Sequence, residues 1–223
     1  MKNLFYILTL LLLITSCNKK WKKTSETNFD VEFITSKSDV SYLELESGFF
    51  QLTNFTFSGT RKKGNDVLFS EWHSSTLFEI ENEEINPNLY YDIPQGEYTN
   101  ITIDLRFDKG SSGKSITVEG VFKDSNEIDI NFVFELEDRI DVGIVVTPTN
   151  GSTITIVAKE KTNPIITFDL VDWFEHIPYG LLDEAEATEI DGEEYLYINK
   201  TSNPSLYTLV VERIGETAKI TFD

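Results

Sequence analysis

The 223-residue sequence contains one cysteine and two histidines, and these shortages exclude several classes of site. A single cysteine cannot form an intrachain disulfide or a cysteine-based zinc site. His73 and His176 lie far apart, and neither has a second histidine at ligand spacing. A glycine-rich phosphate loop and the Gly-x-Ser-x-Gly nucleophile motif are also missing. We therefore predict no catalytic residues and no cofactor.

Basic residues are also scarce. The sequence has 19 Lys and Arg against 38 Asp and Glu, which gives a formal net charge of −19. Five of those lysines lie in residues 1–23, so residues 24–223 alone carry −24. Such a chain repels the phosphates of nucleic acid, and we exclude nucleic acid as a partner. The charge fits solubility and the binding of cations or basic partners.

The longest apolar run lies at the N-terminus, after the short positive segment of residues 1–3. Residues 4–14 are predominantly apolar, which is fewer than the roughly 18 residues expected of a transmembrane helix. The run is long enough for the hydrophobic part of an export signal. Thr15 and Ser16 then lead to Cys17, the only cysteine. This order predicts an exported protein whose signal, residues 1–16, is removed.

The segment Leu13-Ile14-Thr15-Ser16-Cys17 resembles the lipobox of bacterial lipoproteins. The resemblance implies a diacylglycerol on the Cys17 sulfur and an acyl chain such as palmitate on its new amine. Two or more acyl chains hold a protein stably at a membrane, whereas one chain binds marginally. We therefore expect a lipid-anchored protein of the bacterial cell envelope, with the outer membrane favoured and the leaflet open. A secretory signal with an incidental cysteine is the alternative.

Residues 17–28 are polar and lack a periodic apolar face, so we predict a lipidated basic tether. Trp21 is surrounded by four lysines, Lys19, Lys20, Lys22 and Lys23. Lysines are attracted to anionic lipid, and tryptophan favours the membrane interface. Two interpretations stay open: a tether in contact with the membrane surface, or a solvated linker.

From Phe29 onward, apolar and polar residues alternate, which predicts half-buried antiparallel strands. The alternation is clearest in residues 101–107, 128–135 and 153–158. Turn-forming residues separate the runs, for example residues 109–113. We predict a mainly β globular domain over residues 29–223, an antiparallel β-sandwich with short C-terminal helices. The sequence leaves open whether this is one domain or two.

The helices are predicted in the C-terminal part, from about residue 171 to residue 223. Residues 171–174 and 181–185 suit short helical pieces, and residues 217–222 suit a last strand. A stronger helix is predicted over residues 203–214. Its N-cap, first residue and terminator are predicted to be Asn203, Pro204 and Gly215. Its predicted buried face consists of Leu206, Leu209, Val210 and Ile214.

A second resemblance concerns the body of the protein. The segment Ile93-Pro94-Gln95-Gly96-Glu97-Tyr98 is similar to an Ile-Pro-x-Gly-x-Tyr turn in a loosely defined group of uncharacterised bacterial envelope lipoproteins. Further similarity spans Trp173-Phe174, Ala185 and residues 203–207. The resemblance implies an Ig-like or transthyretin-like sandwich and transfers no catalytic residue.

A weaker resemblance, to fimbrillin-type pilus subunits, implies cleavage at a basic residue and a replaceable strand. Arg61 is the first arginine of the chain. Cleavage there would remove the first strands.

Acidic clusters are the only candidates for a metal site, and we expect at most a structural Ca²⁺. They are Glu81-Asn82-Glu83-Glu84, Glu137-Asp138 with Asp141, Asp169 with Asp172, and Asp191 with Glu193 and Glu194. None has the spacing of a calcium-binding loop, and solvated loop charge is the simpler interpretation. Pairs of carboxylates also serve glycosidases, but in a chain this acidic such pairs occur without that function.

Two segments combine aromatic and titratable residues, namely Trp72-His73 and Trp173-Phe174-Glu175-His176. Such aromatics are predicted to lie in the core or a lid, with a surface patch as the alternative. We predict a lipid-anchored binding or structural protein of the cell envelope without enzymatic activity. Its partner would be a glycan or a protein. A carboxylate-dependent hydrolase and a pilus-type assembly subunit are the alternatives.

Overall fold

The computed structural model describes residues 23–81, 86–146, 148 and 151–222. The predicted signal, Cys17 and the tether up to residue 22 lie outside the described residues, as do residues 82–84 of the first acidic cluster. Strands account for 54% of the described residues and helices for 13%, and the sheets are not closed. The prediction of a mainly β sandwich with short helices is therefore confirmed. Within the described ranges, no helix is long and apolar enough to cross a membrane.

The first eight strands are β1 (Thr24–Ile34), β2 (Leu43–Arg61), β3 (Val67–Glu79), β4 (Leu89–Pro94), β5 (Gly96–Phe107), β6 (Ile116–Lys123), β7 (Asp129–Leu136) and β8 (Ile140–Val145). The C-terminal part contains β9 (Ile154–Ile156), β10 (Ile165–Asp169), α1 (Leu170–Glu175), α2 (Tyr179–Asp183), β11 (Thr188–Ile190), β12 (Glu193–Ile198), α3 (Pro204–Thr217) and β13 (Lys219–Thr221). The three predicted helical pieces and the last strand are therefore present.

The strands form two sheets. One has the order β13-β10-β1-β4, and the other β11-β12-β7-β6-β2-β5-β8, with β3 added to β2 and β9 to β5. The 19-residue strand β2 pairs with β6 and then β5 along one edge, and with β3 along the other. Two pairings, β1 with β10 and β7 with β12, are parallel. The prediction of purely antiparallel strands was wrong there, because alternation is the same in both kinds of ladder.

An aromatic cluster joins the two sheets and α1. The Phe50 ring on β2 lies 4.9 Å from Phe33 on β1, 5.1 Å from Phe168 on β10 and 5.7 Å from Trp173 on α1, between centroids. All four side chains are buried. Burying one large apolar side chain contributes about 1.5–3 kcal/mol, so this cluster is a major part of the core. Trp173 and Phe174 are thus core residues, as predicted.

The range predicted for the tether, residues 17–28, overlaps the first strand. Strand β1 begins at Thr24, and its first residues pair with β4, so residues 24–28 belong to the sheet. Ser25 and Thr27 occupy the inward positions and are fully buried. The sequence prediction failed because the inward positions here carry small hydroxyl residues instead of apolar ones.

Helix α3 is present, but its ends and its buried face differ from the prediction. Asn203 precedes the helix in a left-handed conformation, φ 53°, and makes no side-chain cap. Its amide donates instead to the carbonyls of Glu186 and Tyr197. Gly215 does not end the helix, which continues to Thr217. Leu209, predicted to be buried, is 41% exposed.

The buried face of α3 consists of Leu206, Tyr207, Val210, Ile214 and Thr217. We expect Ile214→Ala to lower the free energy of unfolding by about 2–5 kcal/mol, because Ile214 is fully buried. Leu209→Ala, on the exposed side, should change it by less than about 1 kcal/mol. Denaturant titration of both variants measures the difference, and equal losses would show that the helix docks through another face.

Candidate functional site

The acidic cluster of α1 is an ion-pair network. The Lys37 ammonium lies 3.1 Å from Asp169, 3.8 Å from Asp172 and 2.8 Å from Glu175. Arg213 on α3 reaches Asp172 at 3.2 Å. Burial alone would lower the pKa of Lys37, but its hydrogen bonds and charge pairing with these carboxylates raise it well above its usual range. The network therefore ties α1 to α3 and to the loop after β1.

The remaining described acidic clusters are paired with cations or exposed. Lys114 bridges Glu135 and Glu137, at 2.8 and 3.1 Å. Lys200 pairs with Asp138. Asp191, Glu193 and Glu194 are exposed at the β11–β12 turn. Among the described residues, no group of three or more His, Cys, Asp or Glu is arranged to hold a metal ion.

The two histidines lie on different elements, His73 on β3 and His176 at the end of α1. The Nε2 and Nδ1 atoms of His73 lie 2.9 Å from the Tyr91 hydroxyl and 3.2 Å from the Thr76 hydroxyl. Burial lowers the pKa of His73, which favours the neutral imidazole. His176 lies beside the α1 network, with Nδ1 3.2 Å from Arg213. His73 on β3 therefore makes a hydrogen-bond contact to β4 of the other sheet through the Tyr91 hydroxyl.

The solvent-facing surface of β3, β2, β5 and β8, here called the outer face, carries an exposed tryptophan. Trp72 on β3 pairs with Asn54 on β2, which pairs with Arg106 on β5, which pairs with Asp141 on β8. These four residues thus form one row across the sheet. Trp72 is 69% exposed, although the burial of an indole side chain is normally favourable.

Charged and polar groups hold Trp72 in place. The Arg106 guanidinium carbon lies 5.4 Å from the centre of the indole ring, which is within the range of a cation–π contact. Asp141 accepts a hydrogen bond of 2.6 Å from Arg106 Nε and so fixes the guanidinium. Because Arg106 lies over the indole ring, the position of the Trp72 side chain is restrained before any ligand binds.

A second row lies beside the tryptophan and carries hydroxyl groups. The Thr56 hydroxyl lies within hydrogen-bond distance of Ser70 Oγ, at 2.8 Å, and of the Asn54 amide oxygen, at 3.0 Å. The Asn54 amide donates to Ser70 Oγ at 2.9 Å. Thr56 also pairs with Asp104, which is exposed and pairs in turn with Gly143. The Asp104 carboxylate lies beside Gly143, which has no side chain: a Cβ atom there would lie 3.0 Å from Asp104 Oδ1.

The outer face combines one exposed ring with hydrogen-bond donors and acceptors in the same row and in the neighbouring row. It can therefore hold a ligand that has an apolar surface and polar edges. The prediction that Trp72 lies in the core or a lid is wrong, because its side chain is 69% exposed. The sequence pattern did not single out Asn54, Arg106 or Asp104 as site residues. The sequence of β3 could have indicated this face. Leu68, Ser70, Trp72 and Ser74 occupy alternate positions of the strand, so they lie on one side of the sheet.

No protein-family model, curated protein or solved structure matches the chain. The Ile-Pro-x-Gly-x-Tyr segment does form the turn between β4 and β5, where the buried Tyr98 donates a hydrogen bond to the Pro94 carbonyl. Arg61 is the last residue of β2. Cleavage after it would detach β1 and β2, which pair with β10, β4, β3, β5 and β6, so it would break both sheets.

Proposed function

We propose that the protein is a lipid-anchored, non-catalytic component of the bacterial cell envelope that binds neutral glycans on its outer face. The anchor is Cys17. The binding proposal rests on the exposure of Trp72, whose indole is 69% exposed and is restrained by a cation–π contact with Arg106. Tryptophan and arginine are enriched among the residues that dominate the binding energy of interfaces.

A glycan fits the chemistry of this face. A sugar ring has a surface of weakly positive C–H groups, which matches the negative face of an indole ring. Its hydroxyls both donate and accept hydrogen bonds, and Ser70, Thr56 and Asp104 stand beside the ring with both kinds of group. The exposed aliphatic side chains of the same face, Leu68 and Val145, lie two rows along the strands from Trp72, so the immediate neighbours of the ring are polar.

The charge of the protein favours neutral glycans over acidic ones. Residues 24–223 carry a formal charge of −24, and Asp104 and Asp141 lie on the outer face itself. The one arginine of the row is paired with Asp141, so its charge is largely balanced. Acidic polysaccharides would therefore be repelled.

A glycan array tests the proposal. The mature protein should bind neutral oligosaccharides more strongly than sialylated or uronic-acid glycans. Trp72→Ala should weaken binding by about tenfold or more, because truncating a central aromatic residue typically costs more than 1 kcal/mol. Recovery of the glycans intact, by mass spectrometry, separates binding from the hydrolase alternative.

Tyr90 on β4 provides the matched control. It is also an exposed aromatic residue, at 57%, but it belongs to the other sheet. Tyr90→Ala should leave glycan binding unchanged. The proposal is wrong if both substitutions weaken binding equally, or if no neutral glycan binds.

A further inference from the structure

The two most exposed large apolar side chains of the described residues lie on one strand, on the same side of the sheet. Leu68 is 74% exposed and Trp72 is 69% exposed. Both belong to β3, and Ser70, which is also exposed, lies between them. Alternate residues of a strand share one face, so all three side chains belong to the outer face. Single exposed apolar residues are common, whereas several on one face indicate a surface that binds a ligand.

The spacing of Leu68 and Trp72 sets the length of a ligand that contacts both side chains. Four residues of an antiparallel strand span about 13 Å. A sugar ring with its glycosidic oxygen is about 5 Å long, since its single bonds measure about 1.5 Å. A linear glycan that follows β3 would therefore place one ring at Trp72, the next at Ser70 and a third at Leu68.

The hydroxyl groups at the middle position can accept hydrogen bonds from a sugar. Ser70 and Thr56 form a cross-strand pair, and their hydroxyl oxygens lie 2.8 Å apart. The Asn54 amide donates to Ser70 Oγ, and its oxygen lies 3.0 Å from the Thr56 hydroxyl and 3.1 Å from that of Ser70. Each hydroxyl has two acceptor sites, and the Asn54 N–H and the contact between the hydroxyls use at most one each. The other acceptor sites are available to the hydroxyl groups of a ligand.

The row of Leu68 also combines an apolar surface with polar groups. Leu68 pairs with Ser58 on β2, which pairs with Thr102 on β5. The Ser58 and Thr102 side chains are half-buried, and neither forms a hydrogen bond with another described residue. Both hydroxyls can therefore donate to a ligand and accept from it. A sugar ring at Leu68 would meet the same kind of surface as a ring at Trp72.

The line from Trp72 to Leu68 is open at both ends. Ser74 follows Trp72 on β3, and Thr60 follows Ser58 on β2, and both Ser74 and Thr60 are exposed. In the part of the chain that the structure describes, β3 pairs only with β2, so no further strand lies beside it. A glycan longer than three rings could thus continue past either end, and the face does not require the end of a sugar chain.

We infer that the outer face binds an internal segment of a linear neutral polysaccharide, which runs along β3 from Trp72 to Leu68. The inference rests on the proposed glycan site and assigns Leu68 as its second apolar contact. Trp72 provides the stronger contact, because an indole has a larger apolar surface than a leucine side chain. Leu68 then determines the preference for ligands of three rings or more.

The dependence of affinity on ligand length tests the inference. The mature protein is titrated by calorimetry with linear β-1,4-linked oligosaccharides of glucose, mannose and xylose that have one to six rings. In a series that binds, the association constant should rise about tenfold between two and four rings, because the contact with Leu68 is gained. It should change by less than about twofold between four and six rings, because no further apolar contact is gained.

Leu68→Ala is the critical variant, because its effect should depend on ligand length. It should lower the association constant about fivefold for four rings and leave that for two rings unchanged, whereas Trp72→Ala should lower both. Val145→Ala is the matched control and should change neither. Val145 is 65% exposed on the same face, but it lies three strands from Leu68, at about 14 Å, beyond the width of one sugar chain.

The outcomes separate this inference from the glycan site on which it rests. An affinity that does not rise with length, or a Leu68→Ala variant without a length-dependent effect, refutes the extended ligand and leaves the site at Trp72. If only other neutral glycans of the array bind, the linear ligand is likewise refuted, and if no neutral glycan binds, both proposals are wrong. Light scattering tests whether Leu68 joins two copies of the chain. A dimer that Leu68→Ala converts to a monomer would also overturn the inference.

Discussion

Replacing Trp173 by alanine should lower the free energy of unfolding by about 3–5 kcal/mol, the largest loss expected from a single substitution in the core. The side chain is fully buried and packs against Phe50 on β2 and Phe134 on β7. Its indole N–H also donates to the Thr217 hydroxyl on α3 at 2.8 Å. Truncation therefore leaves a cavity and an unpaired buried hydroxyl. Since domains of this size are stable by about 5–15 kcal/mol, denaturant titration will resolve the loss.

Trp72→Ala is the matched control for this experiment, because it removes the same side chain from the surface. We expect it to change the free energy of unfolding by no more than about 0.5 kcal/mol. Trp173→Phe should fall between the two, since it retains an aromatic ring and loses the hydrogen bond to Thr217. A loss at Trp173 no larger than at Trp72 would contradict the packing of Trp173 against β2, β7 and α3.

Replacing Cys17 by alanine should release the protein from stable membrane association. The apolar run of residues 4–14 is shorter than a spanning helix, so the acyl chains on Cys17 are the only stable anchor that we expect. The wild-type protein should partition into the detergent-rich phase of a phase-separation assay, and the variant into the aqueous phase. Intact mass should show diacylglycerol and an acyl chain on a wild-type chain that begins at Cys17. A variant that stays fully membrane-bound would rule out the lipid anchor.

The alternation of β5 shows what a sequence of this kind reveals about the fold. Ile101, Ile103, Leu105 and Phe107 were predicted to face the core, and all four are buried. A strand with one solvent-exposed face alternates apolar and polar residues wherever it lies in a sheet. The partner of a strand is not encoded in the same way. β1 pairs with β10, more than 130 residues later in the sequence, and no local pattern signals that contact.

The errors in α3 and in the outer face have a related cause. Leu206, Val210 and Ile214 are buried whether the helix turns toward Leu209 or toward Tyr207, and only the packing against neighbouring elements decides between them. Trp72 and Arg106 are 34 residues apart, and they meet because β2 aligns β3 and β5. Candidate sites on a sheet surface therefore depend on strand order and register, which no local sequence pattern reveals.

The most direct test of the binding proposal is an NMR titration of the mature protein labelled with ¹⁵N at tryptophan. The sequence has three tryptophans, so three indole N–H signals are expected, from Trp21 in the predicted tether, Trp72 on the outer face and Trp173 in the core. A bound neutral oligosaccharide should shift the Trp72 signal in a saturable manner and leave the Trp173 signal unchanged. A Trp72 signal that does not move at saturating oligosaccharide would show that the outer face is not the binding site.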